Sequence, residues 1–146
     1  MLNIINVPDI ERLTHIFAQA TAPTFFLGAV AAFVSLMSSR LTDLVGRMRT
    51  LNEIAEDDPA RAHLKADLER LRYRAGLLNS GITMALRSGI CATLLLAFLF
   101  SSEYLGFKYA YGAGPLFLVA TVLLGIALYR FSQEAAVGLN RLDEHR

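Results

Sequence analysis

This sequence is short of charge. Only 18% of its 146 residues are Asp, Glu, Lys or Arg, against 54% hydrophobic, whereas a soluble domain carries about a quarter charged residues. A single cysteine, Cys91, rules out an intrachain disulfide and with it a disulfide-stapled secreted module. The net charge of +1 offers no electrostatic footprint for nucleic acid. Catalytic signatures are missing as well: there is no HExxH or CxxC spacing, no Gly-rich phosphate loop and no nucleophile-elbow serine. His15, His63 and His145 fall in three separate segments, so no metal site is specified and no cofactor is implied. Cys91 sits among Ile90, Ala92 and Leu94, the setting of a small apolar packing residue. The acids Glu53, Glu56, Asp57 and Asp58 read as a solvated turn with helix-start charges rather than a cation site.

What remains is apolar and unevenly distributed. No Asp, Glu, Lys or Arg occurs between Arg12 and Arg40, between Arg87 and Glu103, or between Lys108 and Arg130. Crossing about 30 Å of hydrocarbon takes roughly 20 apolar residues. The first and last gaps supply that length, and the middle one does so when extended back through Gly81 past Arg87. Three buried helices in a soluble domain would need more polar cover than this composition provides. The expectation is an all-α membrane protein with three transmembrane helices, over 22–39, 82–103 and 112–130.

Orientation follows from Lys and Arg. Arg12 alone precedes the first span and Lys108 alone separates the second from the third. The segment 40–80 carries Arg40, Arg47, Arg49, Arg61, Lys65, Arg70, Arg72 and Arg74, and Arg130, Arg141 and Arg146 follow the third span. The positive-inside rule puts 40–80 and the carboxyl terminus in the cytoplasm and the amino terminus outside, in a plasma membrane. Tyr104, Phe107, Tyr109 and Tyr111 in the outer loop fit an interfacial aromatic belt. MLNIINVPDIER, with two acids and one Arg ahead of the apolar run, is not a usual signal sequence.

Segment 40–80 reads as a cytoplasmic helical hairpin continuous with the first two spans. Met37, Leu41, Leu44, Met48, Leu51 and Ala55 follow strict 4-3-4-3-4 spacing, the seam of a coiled coil. Asp58 and Pro59 read as the N-cap and first residue of the next helix, where Leu64, Leu68, Leu71, Ala75 and Leu78 repeat the pattern. Residues 131–146 are expected to add a third cytoplasmic helix through Leu128, Phe131, Ala135, Leu139 and Leu142. At the other end, 8–21 reads as an interfacial amphipathic helix presenting Ile10, Leu13, Ile16, Phe17 and Ala20. The alternative is an extension of the first span with Pro23 as a kink.

Two constellations stand out. Gly81, Ala85, Gly89, Thr93, Ala97 and Ser101 place small residues at steps of four, with shorter matches at Gly28–Ala32 and Thr121–Gly125. Such spacing lets membrane helices approach closely. Asn79, Thr83 and Arg87 form a polar line at the inner end of the second span. An ionisable residue at that depth marks a functional site, unless it snorkels to lipid headgroups or pairs with an acid such as Asp43. Arg40, Asp43 and Arg47, at i, i+3 and i+7, form a candidate local ion pair set. The stretches APTFFLGAVAAF, with Ala22, Pro23 and Phe25, and RLTDLVGRMRTL, with Arg40, Leu41, Arg47, Arg49 and Leu51, resemble the domain-of-unknown-function 2721 family across residues 10–142. That resemblance implies a small bacterial integral membrane protein and no particular chemistry.

The functional expectation is a non-enzymatic membrane protein that self-associates into a symmetric homo-oligomer. A pore is the sharper form of that reading, with Ser35, Ser38, Ser39, Thr83 and Arg87 as lining candidates. The alternative is an accessory or scaffold subunit of a larger membrane complex, binding partners through the hairpin; a membrane enzyme or lipid-handling protein ranks below both, because no acid–base pair or nucleophile is set up. Topology is checked by labelling: with Cys91 replaced by serine, a cysteine placed in the 56–60 turn should resist a membrane-impermeant thiol reagent added to intact cells. Labelling from outside overturns the orientation.

Overall fold

In hydrocarbon a backbone has no water to bond, so a charge-free run must close its own hydrogen bonds as a helix. The structure, a computed structural model, describes residues 10–53, 59, 61–105 and 110–143 and is all-helical. α1 runs Ile10–Asn52 (43 residues), α2 Arg61–Leu105 (45 residues) and, after a 3-10 turn at Ala110–Gly112, α3 Ala113–Asp143 (31 residues). Each is long and apolar enough to cross a membrane, with windows of mean hydropathy 1.7, 1.9 and 1.8. At 1.5 Å per residue, α1 and α2 reach about 65 Å, twice the hydrocarbon thickness of about 30 Å. Each is therefore a span with a helical extension.

Two expected boundaries are absent. The interfacial helix over 8–21 is not a separate element, since α1 runs unbroken from Ile10 through Pro23. Pro23 removes the amide that would bond the Gln19 carbonyl. The helix runs on through it with Pro23 buried against the rest of the fold. Of the face expected there, Ile10, Leu13 and Phe17 are exposed and Ile16 and Ala20 half-buried. Likewise 131–146 is not a separate helix, because α3 continues through Arg130 to Asp143. α2 begins at Arg61 rather than Pro59, which lies in a turn. The expected N-cap Asp58, the seam residue Ala55, the acids Glu56 and Asp57, and the aromatics Phe107 and Tyr109 lie outside the described residues.

Packing follows steps of seven. Pro23, Val30, Met37 and Leu44 are buried on α1, Leu71, Leu78, Ala85 and Ala92 on α2, and Ala120, Ala127 and Glu134 on α3. α2 is central; it packs along both neighbours, while α1 and α3 meet sparsely, with contacts that include Phe26–Phe117 and Phe33–Phe131 at ring centroids 5.6 and 5.4 Å apart. α2 therefore carries a second inward row, Gly81, Ser88 and Leu95. A Cβ on Gly81 would lie 3.0 Å from Met37 Sδ and 3.5 Å from the Ala127 carbonyl oxygen, which makes Gly81 the junction of all three helices. Two turns along, Ser88 donates a buried hydrogen bond to the Ala120 carbonyl at 2.6 Å.

The small-residue row of α2 takes part only at one end. Gly81 and Ala85 are buried and Gly89 sits against Val30, whereas Thr93, Ala97 and Ser101 are exposed. Steps of four drift about 40° each on a 3.6-residue helix, while steps of seven stay nearly in line. In the third helix the inward face is also rotated from expectation: Leu128 and Leu139 are exposed, with Phe131 and Ala135 half-buried. Membrane helices associate by close packing rather than by a hydrophobic drive, so volume at Gly81 should matter most. Gly81→Leu should lower stability in detergent by about 1–3 kcal/mol. Gly28→Ala, at an exposed position with nothing within 4 Å of the new methyl, should not destabilise the three-helix packing of the single chain.

Candidate functional site

The seven-residue rows carry on past the apolar layers and end on charge. On α3, Ala120 and Ala127 are followed seven residues later by Glu134; on α2, Gly81 and Ser88 are preceded by Arg74. One step beyond the Gly81–Ala127 junction these two meet. Glu134 Oε1 accepts from Arg74 Nε at 3.1 Å and from Nη2, and Oε2 accepts from Arg40 Nη1 at 3.2 Å. One carboxylate thus ties α1, α2 and α3 together. Its side chain is 1% exposed, against 17% for Arg74 and 46% for Arg40.

Neighbours hold the geometry. The Arg40 guanidinium carbon lies 5.2 Å from the centre of the Phe131 ring, a cation–π distance. A Cβ at Gly138 would come within 2.9 Å of Arg74 Nη2, so a larger residue there would make the guanidinium shift. Phe131, Glu134 and Gly138 share one face of α3 at i, i+3 and i+7. Beside this ionic layer opens a cleft of about 280 Å³ lined by Arg40, Asp43, Leu44, Arg47, Arg74 and Glu134. A wider one of about 660 Å³ shares Asp43 and Arg47 and continues between α1 and α2 past Gly46, Thr50 and Asp67.

The candidates named from sequence are only partly gathered here. Arg40, Asp43 and Arg47 do line one wall, but Arg40 pairs with Glu134, 94 residues away, and not with Asp43. Asp43 and Arg47 are exposed. Asn79 and Arg87 are exposed and Thr83 half-buried, its hydroxyl turned back to the Asn79 carbonyl at 2.9 Å. Ser35, Ser38 and Ser39 are exposed on α1, as are Gly28 and Ala32. None of Asn79, Thr83, Arg87 or the three serines lines either cleft. Cys91 is half-buried and Glu53 exposed; among the described residues no three potential ligands cluster as a metal site would require.

Glu134, Arg74, Ser88 and Gly138 are what sequence reasoning missed. The available signal was the alanine row itself: Ala113, Ala120 and Ala127 extrapolate to Glu134, an acid at a seam position. Residues 20–144 match the family described as "Protein of unknown function (DUF2721)", and the chain belongs to that family. No curated protein and no solved structure matches it.

Removing one member of a buried ion set leaves the others uncompensated, typically at a cost on the order of 3 kcal/mol. Glu134→Gln should therefore be the most destabilising change in this layer, followed by Arg74→Ala. Arg40→Ala should cost least, because water already screens that side chain. Unfolding midpoints of the three variants in one detergent check the order.

Proposed function

We propose that the protein works without catalytic chemistry, as a symmetric homo-oligomer in the membrane whose subunits enclose a pore. The observation that carries this is how little of the apolar surface the chain covers for itself. The most apolar windows of α1, α2 and α3 are 17%, 22% and 11% buried. Lipid can cover such faces, but the outward residues include Gly28 and Ala32 on α1 and Thr121 and Gly125 on α3. Small outward positions give lipid tails little to pack against and let another helix come close. Three spans cannot enclose a water path in one copy, so Ser35, Ser38, Ser39, Thr83 and Arg87, with Asn79 beside them, could line one only between copies. By the positive-inside rule the extensions of α1 and α2 and the carboxyl terminus lie in the cytoplasm of a bacterial inner membrane, with the amino terminus outside.

A second reading, a scaffold subunit, draws on those same extensions. They expose Arg47, Arg49, Glu69, Arg70 and Arg72 outside the charge-free runs, a charged surface suited to a protein partner. The mass and symmetry of the protein after mild solubilisation separate the two: a closed ring is expected, and a monomer overturns the pore. In liposomes, Arg87→Ala should change anion flux relative to wild type. Identical flux removes Arg87 from the path.

A further inference from the structure

We propose that the cleft beside Glu134 is a phosphate-binding site, taking the phosphate of an anionic lipid headgroup or the same group in solution. This goes beyond the oligomer reading, since the site is complete in one chain. Three guanidiniums, Arg40, Arg47 and Arg74, face two carboxylates, Asp43 and Glu134, so the cleft has an excess of positive charge. Glu134 has both oxygens engaged and is buried, which makes it a fixed anchor for the arginines rather than a group free to fill the cleft.

Donors are left over. Arg40 reaches Glu134 through Nη1 alone and is about half exposed, and Arg74 commits Nε and Nη2. The planar fork of a guanidinium matches phosphate oxygens in pairs. Arg47, seven residues from Arg40 on the same face of α1, makes no ion pair among the described residues. Leu44 lies between them and gives the cleft an apolar wall.

The level is right for a headgroup. Met37, Gly81 and Ala127 form the apolar three-helix layer that borders the ionic one. The Arg40–Arg74–Glu134 layer follows within two turns, or about 10 Å along the axes. Arg40 and Arg130 are the first charges after the charge-free runs of α1 and α3. Phosphate groups of a bilayer lie at that depth, just outside the hydrocarbon.

The probe is the purified full chain in neutral detergent, titrated with phosphatidylglycerol or phosphatidylcholine and read by native mass spectrometry. Wild type should retain phosphatidylglycerol in preference, because the ammonium of phosphatidylcholine is repelled by the same arginines. Arg47→Ala, at an exposed position, should weaken that retention roughly tenfold, the value of one charge-assisted hydrogen bond. Arg49→Ala, two residues on and outside the cleft, should leave it unchanged, and Asp43→Asn should strengthen it. Equal losses in Arg47→Ala and Arg49→Ala, or no loss in either, overturn the site. Millimolar inorganic phosphate separates the sources: displacement of the lipid assigns a soluble phosphate ligand, and persistence assigns the headgroup.

Discussion

One carboxylate sets the relation of the three helices. α1 and α3 have little direct contact, and what joins them past the apolar layers is Glu134 reaching Arg40, with Arg74 of the central helix on the other oxygen. A buried charge has only a narrow set of acceptable positions, because any slip of a helix leaves an ion without its partner. The alanine, glycine and serine layers above are permissive by comparison; they allow close approach and add one hydrogen bond, Ser88 to Ala120. The ionic layer fixes which heptad of α3 stands opposite which heptad of α2. It acts as the register pin of an otherwise smooth bundle.

Much of this was legible in the chain. Met37 to Leu51 and Leu64 to Leu78 show their inward faces because apolar residues at alternating steps of three and four leave only one way to face a neighbour. The three long apolar runs came from the charge gaps, which depend only on where the charges fall along the chain. Pro23 was harder. The local rule against proline inside a helix competes with burial at a seam position, and only the tertiary setting decides.

The ion set was half legible. Arg40 stood out at the edge of a span, but sequence proximity favoured Asp43, three residues away, over Glu134 at the far end of the chain. A charge at a seam position looks like the end of the seam when read residue by residue. Arg74 is also one of several arginines along the start of α2, and nothing local distinguishes it from Arg70 or Arg72. Gly138 shows the same limit, since its use is to leave room for a side chain on another helix.

Unbroken helices have a mechanical consequence. α1 and α2 pass from the apolar layers to their far ends without a hinge, so each behaves as a stiff lever with the ionic layer near its fulcrum. A tilt of about 5° in a rod some 65 Å long moves one end relative to the other by about 6 Å. A change of bilayer thickness or of neighbours at the apolar end is then delivered to the charged tips on a smaller scale, because their arm of about 20 Å is shorter than the apolar arm of about 45 Å. Length and continuity alone make the bundle a transmitter of displacement.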